Sequence, residues 1–124
     1  MSPMSRAITG PNLTFDLARH IDELRGDENY ARTGRAGRTL VKEGALRLVL
    51  VVMAGGVEIG THRADTPMTL QTLQGRLRYR VGEERFEIGR GEVLYFGPGH
   101  ARDIRALADT ALLLTITGGG PDGD

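Results

Sequence analysis

The feature that most constrains the fold of this 124-residue chain is an alternation of apolar and polar residues with a period of two, which begins near Arg38. Glycines and prolines interrupt it at short intervals, as is typical of an antiparallel all-β domain. The predicted strands are 39–41, 46–53, 57–62, 68–73, 76–81, 85–88, 93–96, 102–105 and 111–117. A chain of this length forms one domain around one continuous core.

One short helix is expected before the strands. In residues 15–26, Leu17, Ile21 and Leu24 recur at spacings of four and three, and Gly26 follows as a C-terminal stop. His20 lies beside this apolar stripe, so we expect it on the surface. No second helix is predicted, and residues 32–38, with arginines between glycines, are expected to form a loop. Residues 1–11 and 118–124 are predicted to be flexible ends, and 12–38 an N-terminal segment.

Composition excludes several classes of function. Sixteen basic and sixteen acidic residues cancel, so no global field attracts nucleic acid or an anionic membrane. The chain has no cysteine, which excludes disulfides and thiolate chemistry and fits a reducing compartment. The opening residues lack the apolar segment of a secretory signal, and the run at 49–54 is far too short to span a bilayer. We expect a cytoplasmic protein that binds neither nucleic acid nor membranes.

The segment 46–53 is apolar at nearly every position after Arg47. This pattern predicts a strand that is covered on both faces. Either a second subunit or the N-terminal segment of the same chain could provide the outer cover. We expect a symmetric homodimer.

Residues 76–81 alternate strictly, with Leu77, Tyr79 and Val81 on one predicted face. The other face carries three arginines and is predicted to be solvated and balanced by acidic neighbours. The arginines are Arg76, Arg78 and Arg80, and the acidic candidates are Glu83, Glu84 and Glu87.

The spacing of glycines indicates a specific kind of barrel. Gly56 is followed by five residues and then His62, and Met68 is followed by six residues and then Gly75. In a second motif, Gly91 is followed by five residues and then Gly97, with Gly99, Arg102 and Ala106 in register. Both frames, in this order, resemble the two motifs of the cupin superfamily.

The resemblance implies an RmlC-like jelly roll, a double-stranded β-helix of the cupin type-2 domain, at residues 39–117. In that family the motifs supply three histidines and a carboxylate that bind a divalent metal inside the barrel. The matching positions here are His62, Ala64, Met68 and Arg102.

These four residues lack the chemistry for a divalent metal. Ala64 has no lone pair, the Met68 thioether suits soft Cu(I), and the permanent charge of Arg102 opposes a nearby dication by several kcal/mol. We therefore expect no metal cofactor. The alternative is a divalent transition metal held by His62 and His100.

A carboxylate would have to complete that alternative metal site. The candidates are Asp65, Asp103 and Glu58.

A barrel without metal can still bind a small organic molecule. The candidate ligand-binding residues are His62, Met68, Leu70, Thr72, Tyr95 and Arg102. Tyr95 and Phe96 are adjacent in a strand, so at most one of them lines the interior. An inward Arg102 needs a partner, which is either Asp103, Asp65 or Glu92, or an anionic ligand.

Three functions follow. The first, which we favour, is a metal-independent cupin that binds a small organic ligand, either anionic or neutral, as a sensor or carrier. The second is a metal-independent enzyme like the epimerase and isomerase members of the family, with His62 as the candidate catalytic base and Tyr95 as its only candidate acid. The third is a metal-dependent dioxygenase or isomerase with atypical ligands.

Overall fold

A computed structural model describes residues 12–63, 66–97 and 101–118, with the backbone alone at 61–63 and 101–102. Two short helices precede nine strands. The helices are α1 (Leu17–Arg25) and α2 (Glu28–Thr33). The strands are β1 (Arg35–Glu43), β2 (Leu46–Met53), β3 (Glu58–Arg63), β4 (Met68–Gln74), β5 (Arg76–Val81), β6 (Glu84–Gly89), β7 (Val93–Phe96), β8 (Ala101–Ala106) and β9 (Thr110–Ile116).

The strands form two antiparallel sheets, as expected for a jelly roll. One sheet has the order β1-β2-β9-β4-β7, and the other has the order β3-β8-β5-β6. Side chains from the facing sides of both sheets form the main core, among them Met53, Leu70, Leu77, Tyr79 and Leu112. The predicted alternation of β5 is confirmed, because Leu77 and Tyr79 are buried in this core.

A second core lies on the outer side of the larger sheet. Ile21 and Leu24 of α1 are buried there against Leu50 and Val52 of β2. The predicted two-sided burial of this strand is therefore confirmed, and the chain's own helix provides the outer cover. Because α1 already covers this face, the apolar run does not require a second subunit, and the homodimer stays a prediction.

The segment before the predicted barrel differs from expectation at three points. A second helix, α2, follows α1, with the Asp27 side chain accepting a hydrogen bond from the Asn29 amide at its N-terminus. The predicted loop at 32–38 was wrong, because α2 ends at Thr33 and β1 already begins at Arg35. Pairing with β2 holds these residues in a strand, so the sheet begins four residues before position 39.

His20 is the third difference. It was predicted on the surface, but it is only 8% exposed. The Arg38 guanidinium lies 2.8 Å from its Nδ1 atom, and the Phe15 ring meets it edge-on. Because α1 lies flat on β1 and β2, the flank of its apolar stripe is covered too.

Candidate ligand-binding site

An aromatic cleft opens between β5 and β6 of one sheet and β7 of the other, with a volume of about 300 Å³. We call it the aromatic cleft and define it by Tyr79, Phe86, Tyr95 and Phe96, together with Val81 and Glu84. The chain contains only three Phe and three Tyr residues, so four of its six aromatic residues meet here. Apolar walls with few polar groups are characteristic of small-molecule sites.

Two of these rings connect the sheets. Tyr79 of β5 stacks on Phe96 of β7, with ring centroids 5.0 Å apart and an interplanar angle of 21°. Phe86 is the register partner of Tyr79 on β6, and its ring centroid lies 6.2 Å away. Phe86 is 41% exposed, whereas Tyr79 is 1% exposed. The cleft therefore has a fixed aromatic floor and an accessible aromatic side wall.

The backbone register pairs the two motif positions that retain polar residues. His62 of β3 and Arg102 of β8 are direct Cα partners, after a register irregularity that follows Ile59. Position 102 lies two residues before Ile104 on β8, so the two positions belong to the same face of the strand, and Ile104 is packed against the main core. The two side chains lie outside the described part of the structure, as do all atoms of Ala64, Asp65 and His100.

The aromatic cleft lies at the same end of the barrel as this pair. Arg80 and Asp103 are register partners on β5 and β8, so Val81 and Arg102, the next residue on each strand, lie at the same level. Met68, at the start of β4, pairs with Phe96 in the same way. The cleft and the motif positions therefore share one end of the fold.

The other predicted ligand-binding residues are in different environments. Leu70 and Thr72 have no exposed surface, and the Thr72 hydroxyl donates to the Ile88 carbonyl at 3.4 Å. Met68 is 6% exposed and belongs to the main core. Of the adjacent aromatic pair, Phe96 faces the interior, while Tyr95 is 65% exposed on the outer side of β7 and reaches the cleft only at its rim.

On the outer face of the smaller sheet, arginines form ion pairs with acidic residues that a metal site would need. Arg80 Nη2 lies 2.7 Å from Asp103 Oδ2, and the hydrogen bond from this guanidinium lowers the pKa of the Asp103 carboxyl. Glu58 Oε2 lies 3.4 Å from Arg105 Nη1 and 3.9 Å from Arg78 Nη2. Both carboxylates therefore have arginine partners outside the barrel.

The predicted charge balance of the arginine face is correct for Glu87, whose Oε1 lies 3.0 Å from Arg76 Nε. Arg78 and Arg80 instead use Glu58 and Asp103, which come from neighbouring strands in the sheet. Within the described residues, Glu83 and Glu84 take no part in this ion pairing.

The residues at the motif positions do not fit a divalent metal. Only His62 among the four offers a donor of the usual kind, and the Met68 thioether is packed in the apolar core. In the described part of the chain, no three residues of the metal-ligating types His, Asp and Glu come together. Glu58 and Asp103, two of the three carboxylates considered for a site with His62 and His100, are bound to arginines.

Comparison with solved structures identifies the fold. A cupin-2 domain protein from Shewanella frigidimarina matches with a TM-score of 0.69 and 14% identity, over 84% of this chain and 94% of that one. A cupin superfamily protein from Desulfitobacterium hafniense matches with a TM-score of 0.64 and 13% identity, over 67% and 76% of the two chains. The chain has the cupin fold.

A dioxygenase structure also matches this fold. Salicylate 1,2-dioxygenase from Pseudoaminobacter salicylatoxidans, in a structure with gentisate adducts, matches with a TM-score of 0.75 and 13% identity. The match covers 83% of this chain but only 32% of the dioxygenase. No protein-family model matches the sequence, and no curated protein is significantly similar to it. No helix in the described residues is long and apolar enough to cross a membrane.

One wall of the aromatic cleft was not predicted from the sequence. Phe86 was placed in a strand but not assigned to the site. Its parity with buried Ile88 on β6 is the signal that could have identified it as inward-facing. β6 and β7 belong to different sheets and face each other across the opening only in the tertiary fold. The alternation of residues within each strand does not predict that arrangement.

Proposed function

We propose that this cupin binds a small organic anion with a flat, apolar body, and that it does so without a metal ion. The observation that carries the proposal is the aromatic cleft at the barrel end where the backbone positions of His62 and Arg102 are paired. Stacking against Phe86, with Tyr95 at the rim of the cleft, would hold the body of the ligand. Arg102 would bind its negative group.

The anionic character of the ligand is supported by two of the three carboxylates considered as partners for Arg102, which have other partners; Glu84, which also lines the cleft, has no ion pair among the described residues. Asp103 was a candidate partner for Arg102, but it binds Arg80 on the outer face. Glu92 was another candidate, and it accepts a hydrogen bond of 2.6 Å from the Gly89 amide. Asp103 and Arg102 are successive positions of one strand, and such positions alternate between the two faces of a sheet. An inward guanidinium is costly to bury alone, and a ligand carboxylate would compensate its charge.

Salicylate is a suitable probe because it combines a planar ring with a carboxylate, and salicylamide is its neutral analogue. In a titration followed by amide NMR, we expect salicylate to shift the resonances of Phe96 and Gly97. Arg102→Gln should remove the preference for salicylate over salicylamide, and Phe86→Ala should weaken both. Arg90→Gln, at an exposed turn, is the control. Absence of any preference for the anion in the wild type would contradict the proposal.

His62→Ala distinguishes a carrier from an enzyme. A carrier would lose affinity, with no turnover of the probe in either form. An isomerase-like enzyme that uses His62 as a base would lose turnover while it still binds the probe. A metal-dependent enzyme would instead show activity that returns only when a divalent metal is added after chelation.

A further inference from the structure

A second cleft, of about 440 Å³, lies between the edge strands of the two sheets. We call it the β1–β3 cleft. It is lined by Asn29 and Thr33 of α2, Arg35 and Gly37 of β1, Val51 of β2 and Ile59 of β3. β1 and β3 are edge strands of different sheets, so no sheet hydrogen bonds among the described residues close this side of the barrel.

This cleft is separate from the aromatic cleft, because the two share no lining residue. Arg35 pairs with Met53 at the end of β2, and Met53 pairs with Thr110 at the start of β9. Met68, which marks the aromatic end, pairs with Ile116 at the other end of β9. The β1–β3 cleft therefore opens toward the opposite end of the barrel.

Gly37 keeps the floor of the β1–β3 cleft open. It is the register partner of Val51, and both residues line the cleft. A Cβ atom at position 37 would meet only ordinary contacts, with the Leu50 carbonyl at 3.5 Å and Val51 Cγ2 at 3.6 Å. Gly37 also lacks the positive φ angle that favours glycine. Neither backbone conformation nor crowding requires glycine here, and a larger side chain would occupy the space.

The side-chain polar groups that remain available in this cleft are hydrogen-bond donors. Thr33 Oγ1 donates to the Asn29 carbonyl at 2.8 Å and accepts from the Arg35 amide at 3.3 Å. Asn29 Oδ1 accepts from Arg32 Nη2 at 2.6 Å, which leaves its Nδ2 group as a donor. Among the described residues, no carboxylate forms an ion pair with the Arg35 guanidinium.

Hydrogen-bond donors above an apolar floor favour a ligand that combines a hydrogen-bond acceptor with an apolar body. We propose that the β1–β3 cleft is a second binding site, for a small aliphatic monocarboxylate. Its carboxylate binds the guanidinium of Arg35 and the amide of Asn29, because Arg matches a carboxylate with two parallel hydrogen bonds. Its alkyl chain lies over Gly37 against Val51 and Ile59. This site is independent of the function proposed for the aromatic cleft.

Hexanoate tests the site, with hexanol as the neutral molecule of equal chain length. In amide NMR titrations of the full chain, hexanoate should produce saturable shifts at Gly37, Val51 and Ile59. Hexanol should bind about tenfold more weakly, because a charge-assisted hydrogen bond contributes at least that factor. Arg35→Gln should remove this difference, while Arg90→Gln should keep it.

Gly37→Val should abolish the binding of both molecules by filling the floor. If that variant does not fold, Gly37→Ala, which adds a single methyl group, should weaken both. Equal affinity of the wild type for hexanoate and hexanol would overturn the proposal. So would unchanged discrimination in Arg35→Gln, or hexanoate shifts confined to Phe96 and Gly97 in the aromatic cleft.

Discussion

At the scale of single residues, polar side chains on this protein are placed by their partners more than by their own hydropathy. His20 is buried where α1 packs on β1 and β2, and it has a polar partner there, because Arg38 reaches its Nδ1 atom and also lies 2.7 Å from Glu23 Oε1. The hydrogen bond from Arg38 to Glu23 lowers the pKa of the Glu23 carboxyl. This network could not be predicted from the sequence, because Arg38 lies eighteen positions after His20 and belongs to a strand that was expected to be a loop.

The ion pair between Arg80 and Asp103 predicts a pH dependence of stability. Because the folded-state pKa of Asp103 lies below the reference value of 3.8, this pair stabilises the native state above that pH. Its contribution should disappear as pH falls through the lower folded-state pKa. In urea unfolding, Asp103→Asn should therefore be destabilised relative to wild type at pH 7, and the difference should narrow in acid.

Glu83→Gln is the control for Asp103→Asn, since it removes a nearby carboxylate that has no ion pair among the described residues. A gap between wild type and Asp103→Asn that stayed constant from neutral to acidic pH would contradict the assignment. Added salt should reduce the gap at pH 7, because Arg80 is 41% exposed and screening acts on it.

Two turn glycines form a matched pair for substitution. Gly75 and Gly82 have φ angles of +83° and +59°, which residues other than glycine rarely adopt. A Cβ at Gly82 would meet nothing within 4 Å, so Gly82→Ala should cost only about 1 kcal/mol of backbone strain. A Cβ at Gly75 would collide with the Asp109 carbonyl and lie 2.8 Å from Thr110 Cα, so Gly75→Ala should cost about 3 kcal/mol. Equal costs in chemical denaturation would contradict this distinction.

At the scale of elements, the strands were predictable and the segment before them was only partly so. All nine predicted strands are present, because alternation, or a short apolar run for β2, indicates a strand when turn residues bound it. α2 was missed because it has six residues and none of them is buried, so it has no apolar stripe. β1 begins among arginines and glycines, and only its pairing with β2 makes that segment a strand.

Leu24 tests whether α1 is a structural cover for the larger sheet. It is 2% exposed in the second core, whereas Leu46 at the start of β2 is 41% exposed. Leu24→Ala should lower the free energy of unfolding by about 3 kcal/mol, because it removes buried methyl groups and leaves a cavity. Leu46→Ala should cost about 1 kcal/mol or less. Similar losses in urea denaturation would show that α1 contributes little to the fold.

At the scale of the whole molecule, the spacing of the motif glycines predicted the fold. The residues between these glycines predicted only some of the residues that line the aromatic cleft. The frame specifies turns, which survive changes of chemistry, and the comparisons show the cupin fold at 13–14% identity. The site depends on which strands face each other across an opening. Leu70 and Thr72 therefore belong to the filled interior, whereas Phe86, a residue outside both motifs, lines the cleft.

The proposed independence from metal makes a prediction for the stability of the whole chain. A ligand that binds only the native state at a hundredfold excess over its Kd adds about 2.7 kcal/mol. For a domain of this size that raises the Tm by roughly 10 °C. We expect Mn²⁺, Zn²⁺ and Ni²⁺ to change the Tm of the chelated wild type by no more than about 1 °C, since His62 is the only usual donor at the four motif positions.

Ala64→His combined with Arg102→His would supply three imidazoles and should show a metal-dependent rise in Tm that EDTA reverses. The same reversible rise in the wild type would disprove metal independence.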